Sequence, residues 1–369
     1  MKTSLKVLPL LVLPLLAFVG SAHAAASAPP AAATPPLKKV LFFTKSVSFE
    51  HDPIKTADNP RFGVAFRVFN ELGPKHNFEF TYSKDGSLFS DEYLAKFDAL
   101  MFYTQDGAGG LTTPGLDKAP PMTPAGKAAL LKAVAGGKGF IGMHSASDTF
   151  HSVLPDGTSG QRGYRVANGD AADPYIKMLG GEFIGHGQQQ KSRLIVADVK
   201  FPGIAALPAD YGPNEEWYSL KNFPADLHVI LVQDTTGMTG NEYARPPYPS
   251  TWARMEGKGR VFYTNMGHRD DVWMSAEFQS ILLGGLNWAT GRVDADVTPN
   301  LDKVAPKANE LPAQPARGAG GPGGPGGRRG GTPGTPGAPG APGAAPAFPQ
   351  RGPAAPAAPA APAAPVAAP

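Results

Sequence analysis

Short apolar runs alternate with stretches of helical spacing between Leu37 and Arg292. The runs are Lys39–Thr44 (KVLFFT), Phe78–Tyr82, Ala99–Tyr103, Gly139–Met143 (GFIGM), Arg193–Val196, Val229–Val232 and Arg260–Thr264 (RVFYT). They are β-branched and aromatic with few polar alternates, the pattern of strands buried on both faces. Between them, Thr123-Pro124 supplies an N-cap with proline at the first helical position, and Gly136-Gly137 stops that helix. Ser275 caps another, in which Phe278, Ile281, Leu282, Leu286 and Ala289 recur at helical spacing and bury one face. The order strand–helix–strand predicts one α/β domain with a doubly wound, mostly parallel sheet. In such sheets ligands bind beyond the carboxyl ends of the strands. Functional residues are therefore expected directly after the apolar runs.

The flanks read differently. Lys2 and Lys6, the apolar run Leu8 to Val19, and Ala22-His23-Ala24 form the pattern of a cleaved secretory signal over residues 1–24. That run is too short to span a bilayer, so a periplasmic or secreted protein without a membrane span is expected. Residues 25–36 form an Ala/Pro linker, and residues 293–369 a linker and a Pro/Ala/Gly-rich tail expected to be disordered. The net charge is +3, of which Lys2 and Lys6 supply +2 and residues from Val304 onward +4, leaving the folded segment at −3. A mildly acidic domain argues against a nucleic-acid partner. The chain has no cysteine, which excludes disulfides, thiolate nucleophiles and thiolate metal sites.

The segments that follow the strands are polar and rich in histidine. Ser48 to Asp52 follows the first and contains His51; Gln105-Asp106-Gly107 follows the third; His144 to His151 follows the fourth and contains Asp148. Gly267-His268 follows the strand ending near Thr264, while Gly185-His186-Gly187 and Glu215-Glu216-Trp217-Tyr218 are read as connecting loops. Histidine beside a carboxylate can work as a general acid or base near neutrality. The candidate catalytic residues are His144, Asp148, His186, Glu216 and His268. His144 or His268 is the expected base, Glu216 or Asp148 its partner, and His186 a polariser of a carbonyl. His51, Gln105, Asp106, Trp217, Tyr218 and Trp252 are candidates for substrate binding, the aromatics either as a sugar platform or as core. His76 and His228 flank strands and are read as surface or packing residues. Metal binding is the rival use: His144, His151 and Asp148 could offer ligands, joined by His186 and His268. The HxxxDxxH spacing matches no zinc signature and HExxH is absent, so no cofactor is required and a divalent metal is left open. Gly142 to Ala146 lacks the GxSxG frame of a nucleophile elbow, and Gly107 to Gly110 is no dinucleotide fingerprint.

Taken together, GKGFIGMHSASDTF (residues 137 onward), MLGGEFIGH (178–186), EEWY (215–218), GKGRVFYTNMGH (257–268), Trp273 and LNWATGR (286–292) resemble the ThuA-like, or trehalose-utilisation, family. The resemblance runs from about Lys38 to Arg292. It implies a flavodoxin-like fold of the kind seen in class I glutamine amidotransferases, without their activity, since the elbow reads Met143-His144-Ser145. It also implies breakdown of disaccharides, through keto-sugar intermediates, with His51, His144, Asp148, His186, Glu216 and His268 at the site. Two features depart from the family pattern: Glu215 where Asp is common, and the export signal. A non-catalytic carbohydrate-binding module and a metal-dependent glycoside-processing hydrolase are the alternatives. Oligomeric state is not readable from the sequence.

Overall fold

A computed structural model describes residues 35–55, 63–106, 110–116, 118–153 and 169–313. The signal segment, most of the Ala/Pro linker, Gly107 to Gly109 and the tail from 314 lie outside the described residues. An eight-stranded sheet forms the centre, in the spatial order β2-β1-β3-β4-β12-β11-β10-β7. Its strands are β1 (Lys38–Phe43), β2 (Phe78–Ser83), β3 (Ala99–Phe102), β4 (Gly139–Met143), β7 (Leu194–Val196), β10 (His228–Gln233), β11 (Tyr248–Glu256) and β12 (Gly259–Thr264). From β2 to β12 every pairing is parallel. From β12 through β11 and β10 to β7 every pairing is antiparallel. The expected mostly parallel sheet is thus a parallel half joined to an antiparallel one, within an α/β fold.

Alternation along the parallel strands sorts side chains into two cores. Val40 and Phe42 of β1 and Met101 of β3 face one, Leu41 and Phe43 of β1 and Phe102 of β3 the other. The first core is covered by α1 (Val64–Lys75) and α6 (Ala276–Ala289). Ser275 accepts from the Phe278 amide at the start of α6, as its sequence predicts. The second core is covered by α3 (Pro124–Ala135) and α4 (Pro174–Leu179). Thr123 caps α3 through the Gly126 amide, and Gly136 ends it. Gly284 of α6 packs against the chain at Pro202, where a Cβ would lie 1.9 Å from the carbonyl oxygen. Two short helices, α2 (Asp91–Leu94) and α5 (Asp270–Met274), complete the layers.

Two antiparallel ribbons stand apart from the main sheet. One pairs β5 (Glu182–His186) with β9 (Tyr218–Lys221); the other pairs β6 (Gln190–Lys191) with β8 (Asn214–Glu215). Hence His186, Glu215 and Tyr218 lie on strands, not in the connecting loops expected for them. Asn265, just past β12, ties the first ribbon to the sheet. Its side chain donates to Tyr218 O (2.9 Å) and accepts from the Tyr218 amide (3.3 Å).

The packed chain continues past Arg292, the boundary expected from sequence. Helix α7 (Leu301–Val304) and its flanks bury Leu301, Ala305 and Ala308 in the second core. Asn300 exchanges hydrogen bonds with the Val229 backbone (2.6 and 3.0 Å), and Asn309 does so with Phe223 (3.1 and 2.9 Å). Leu301, Ala305 and Ala308 recur at helical spacing, but two of the three are alanines, too small to mark a buried face. Among the described residues no helix is long and apolar enough to cross a membrane.

Candidate functional site

The strand β4 ends at Met143, and the next residue turns sharply into a 3₁₀ helix over His144–Ser147. His144 sits at that elbow with φ of 42°, in the left-handed region that costs a non-glycine residue about 1–2 kcal/mol. Its carbonyl is fixed by Tyr263 (2.8 Å) and Ser147 (3.0 Å) hydroxyls. The ring is fully buried, and Nδ1 lies 3.0 Å from Asn265 O. A carbonyl can only accept, so Nδ1 carries the proton and Nε2 is left with its lone pair.

Three other elements bring groups to that nitrogen. His51 comes from the segment after β1, its ring edge-on to those of His144 (4.9 Å) and His268 (5.3 Å). Its Nε2 is 3.1 Å from the Tyr218 hydroxyl. His268 comes from the segment after β12, where Gly267 takes φ of 123°, a conformation glycine adopts at least cost. Tyr103 and Trp273 both donate to Gly267 O, at 2.8 and 2.7 Å. The buried Glu215 accepts from the Gly267 and His268 amides at 2.9 and 3.1 Å. Glu216 joins β8 to β9 and is the hub: Oε2 lies 3.0 Å from His268 Nδ1 and 3.5 Å from His144 Nε2, and Oε1 lies 3.3 Å from His186 Nδ1. His51, His144, Glu216 and His268 each bring one ligand-capable atom, and all four lie within 4.8 Å of one another.

Burial and charge set the protonation. Burial pulls His51 well below the ordinary imidazole range, helped by the neighbouring His144, and pulls His144 down as well. His268 moves up: burial opposes its charge, but the Glu216 carboxylate outweighs burial. Glu216 is held far below the carboxylate range because the surrounding imidazoles outweigh the burial that would raise it. Glu215, without a cation at that distance, is pushed up to about 7 by burial. His186 is the exposed member, its side chain 42% accessible. Its Nδ1 also lies 3.1 Å from Gly187 O, which leaves Nε2 free to face solvent.

The other expected site residues lie elsewhere. Asp148 and His151 form a separate buried network: His151 Nε2 is 2.5 Å from Asp148 Oδ1 and Nδ1 is 3.1 Å from Glu182 Oε1. Burial would lower His151, yet Asp148 and Glu182 raise it to about 10. Asp148 therefore does not partner the Glu216 histidines, and His151 does not join His144. Gln105 is a brace, accepting from the Ser48 and Phe49 amides (3.1 and 2.9 Å) and donating to Asp148 (3.1 Å). Asp106 is buried against the Phe150 amide, and burial lifts it to about 8. Trp217 and Trp252 are core, not a sugar platform. Both are fully buried, with indole N–H groups donating to Gln190 O and Leu179 O at 2.8 Å each. Tyr218 does belong to the site, its ring 4.0 Å from that of His144. His228 packs between Thr298 O and Asp198, as its strand-flanking position suggests. Glu215, Tyr103, Asn265 and Glu182 escaped the sequence reading. Glu215, Glu182 and Asn265 had a signal there, in EEWY, MLGGEFIGH and GKGRVFYTNMGH.

Comparison with known proteins agrees with this architecture. The trehalose-utilisation family, ThuA, matches residues 39–289. A solved ThuA-like protein from Bacteroides uniformis is 19% identical, with a TM-score of 0.51, over 74% of this chain and 100% of that one. Another from Parabacteroides merdae is 17% identical, with a TM-score of 0.45, over 71% of this chain and 95% of that one. No curated protein matches the chain. With the family match spanning most of its length and the α/β fold shared with a solved relative, the chain belongs to the ThuA family.

Proposed function

We propose that this protein is an exported carbohydrate-processing enzyme that acts on disaccharides or their keto derivatives by proton transfer at the carbon beside a carbonyl. A sugar-related role follows from the family; the chemistry is argued from one observation. An anionic carboxylate, Glu216, holds the exposed imidazole of His186 on one oxygen while the imidazoles of His144 and His268 approach the other. A base must touch its substrate, and His186 is the member of this set most open to solvent. With Nδ1 directed at Glu216 and Gly187 O, its Nε2 can take the proton from a C–H acidified by a neighbouring keto group. The electron pair left on carbon moves onto the carbonyl oxygen, giving an enediolate. Returning the proton to the adjacent carbon isomerises the sugar; expelling the glycosidic oxygen, protonated by the imidazolium, cleaves it. His186 thus takes the role of base that the sequence reading gave to His144 or His268. Export rests on the signal-like segment at residues 1–24.

The test is turnover of 3-keto-disaccharides, beside the plain disaccharides, by the full chain. Conversion of the keto sugar, falling about 100-fold or more in His186→Ala and in Glu216→Gln, supports the reading. Binding of either sugar without conversion would replace it with a carbohydrate-binding module.

A further inference from the structure

We propose that His51, His144, His268 and Glu216 hold a divalent first-row transition-metal ion. Polar atoms left without partners mark the place. Buried nitrogens lose several kcal/mol of solvation and are normally hydrogen-bonded. Three that are not, His51 Nδ1, His144 Nε2 and His268 Nδ1, belong to this one cluster. His144 Nε2 and His268 Nδ1 face the same oxygen of Glu216, at 3.5 and 3.0 Å, without hydrogen-bond alignment.

The second nitrogens fit the same purpose. His144 Nδ1 is anchored on Asn265 O and His51 Nε2 on the Tyr218 hydroxyl. Metal-bound histidines are held in this way, with the distal N–H engaged so that the other nitrogen presents its lone pair. Glu216 is fixed likewise, one oxygen inward and the other at His186. Metal–nitrogen bonds of about 2.0–2.1 Å place the donors of a tetrahedral site about 3.4 Å apart. The donor atoms here lie within 4.8 Å of one another, so a small inward movement of side chains closes the shell. Three imidazoles and one carboxylate suit zinc, iron, cobalt, nickel or manganese, and not calcium or magnesium, which take oxygen shells.

The elbow adds an independent reason for His144 to be where it is. Backbone strain of this kind persists where the surroundings impose it, and it clusters at functional sites. The nearby Asp148–His151–Glu182 network has its donors committed to one another, so it does not compete.

The metal site coincides with the residues read above as a sugar site, and its geometry alone carries it. The full chain, freed of metal and dialysed against excess Zn²⁺ or Co²⁺, is expected to retain about one ion per chain. Co²⁺ should give the visible absorption of a low-symmetry protein site, and Zn²⁺ should raise Tm. His144→Ala and Glu216→Gln should each weaken retention at least about 10-fold, while His76→Gln, a surface change, leaves it intact. A wild-type chain that retains neither ion overturns the inference. So does retention lost in His151→Ala and kept in His144→Ala, which would move the ion to the other network. Ion retention without keto-sugar turnover sustains the metal site and overturns the sugar reading; turnover by a chain that retains no ion does the reverse.

Discussion

At the scale of single residues, the same side-chain type takes opposite roles according to what surrounds it. Asp106 and Glu216 are both carboxylates, but Asp106 is buried against one amide and Glu216 meets three imidazoles. Burial therefore raises Asp106 to about 8, against about 3.9 in an unfolded chain. A folded pKa above the unfolded one stabilises the fold at low pH. The contribution is full below about pH 4 and disappears as pH rises through about 8. Asp106→Asn keeps the acceptor for the Phe150 amide and removes the titration. Between pH 5 and 8 the parent should lose at least about 1 kcal/mol more stability than this variant, the equivalent of one pKa unit. Urea midpoints at the two pH values read the difference; parallel losses would show that Asp106 is ionised throughout. His151 also loses its stabilising contribution as pH rises, between the ordinary imidazole range and about 10, but Asp148 and Glu182, the larger causes of its shift, are kept in both proteins. Asp148 and Glu216 look equivalent in sequence, each an acid near histidines. Only the fold, by giving Asp148 to His151, tells them apart.

At the scale of elements, the strands with apolar side chains on both faces are the ones the pattern predicts. β1, β3, β4 and β12 end within a residue or two of their expected limits, and the loops after β1, β4 and β12 deliver His51, His144 and His268. The ribbons and β11 leave no such trace. β11 buries Ser250, Thr251 and Arg254, and β9 buries Lys221 against Glu182. Buried polar residues that find partners read as loop when only apolar periodicity is counted. The elbow is invisible for another reason: the left-handed turn at His144 lacks the glycines that mark one. Its strain can be measured. His144→Gly relieves the backbone where His144→Ala does not, while both remove the ring. The glycine variant should therefore be the more stable of the two by about 1 kcal/mol. Equal stabilities in chemical denaturation would show that the elbow carries no strain.

At the scale of the whole molecule, five separate stretches of chain supply the site, and the sheet edge is what joins them. Parallel strands deliver the buried histidines from below, and the ribbons carry Glu216 and His186 across the top. Composition predicts the single domain but not its end, because the closing segment is poor in apolar residues. Arg245, buried, donates to Ser219 Oγ (2.9 Å), Leu220 O (2.6 Å) and Ala308 O. Truncation after residue 313 is expected to leave Tm within about 2 °C. Truncation after 305 strips a partner from a buried guanidinium and the anchors Ala308 and Asn309. That loss should cost about 1–3 kcal/mol, several degrees for a domain of this size. Equal melting temperatures would show that residues 306–313 contribute nothing to the fold.

The proton transfer is the step on which the functional account depends, and it can be followed without identifying the product. With a 3-keto-disaccharide in D₂O, the wild-type chain should exchange the hydrogen beside the keto group for deuterium, read by NMR, well above the buffer rate. In His186→Ala and Glu216→Gln that exchange should fall to near background. Exchange that persists unchanged in both variants, or that never exceeds buffer in the wild type, would contradict the account.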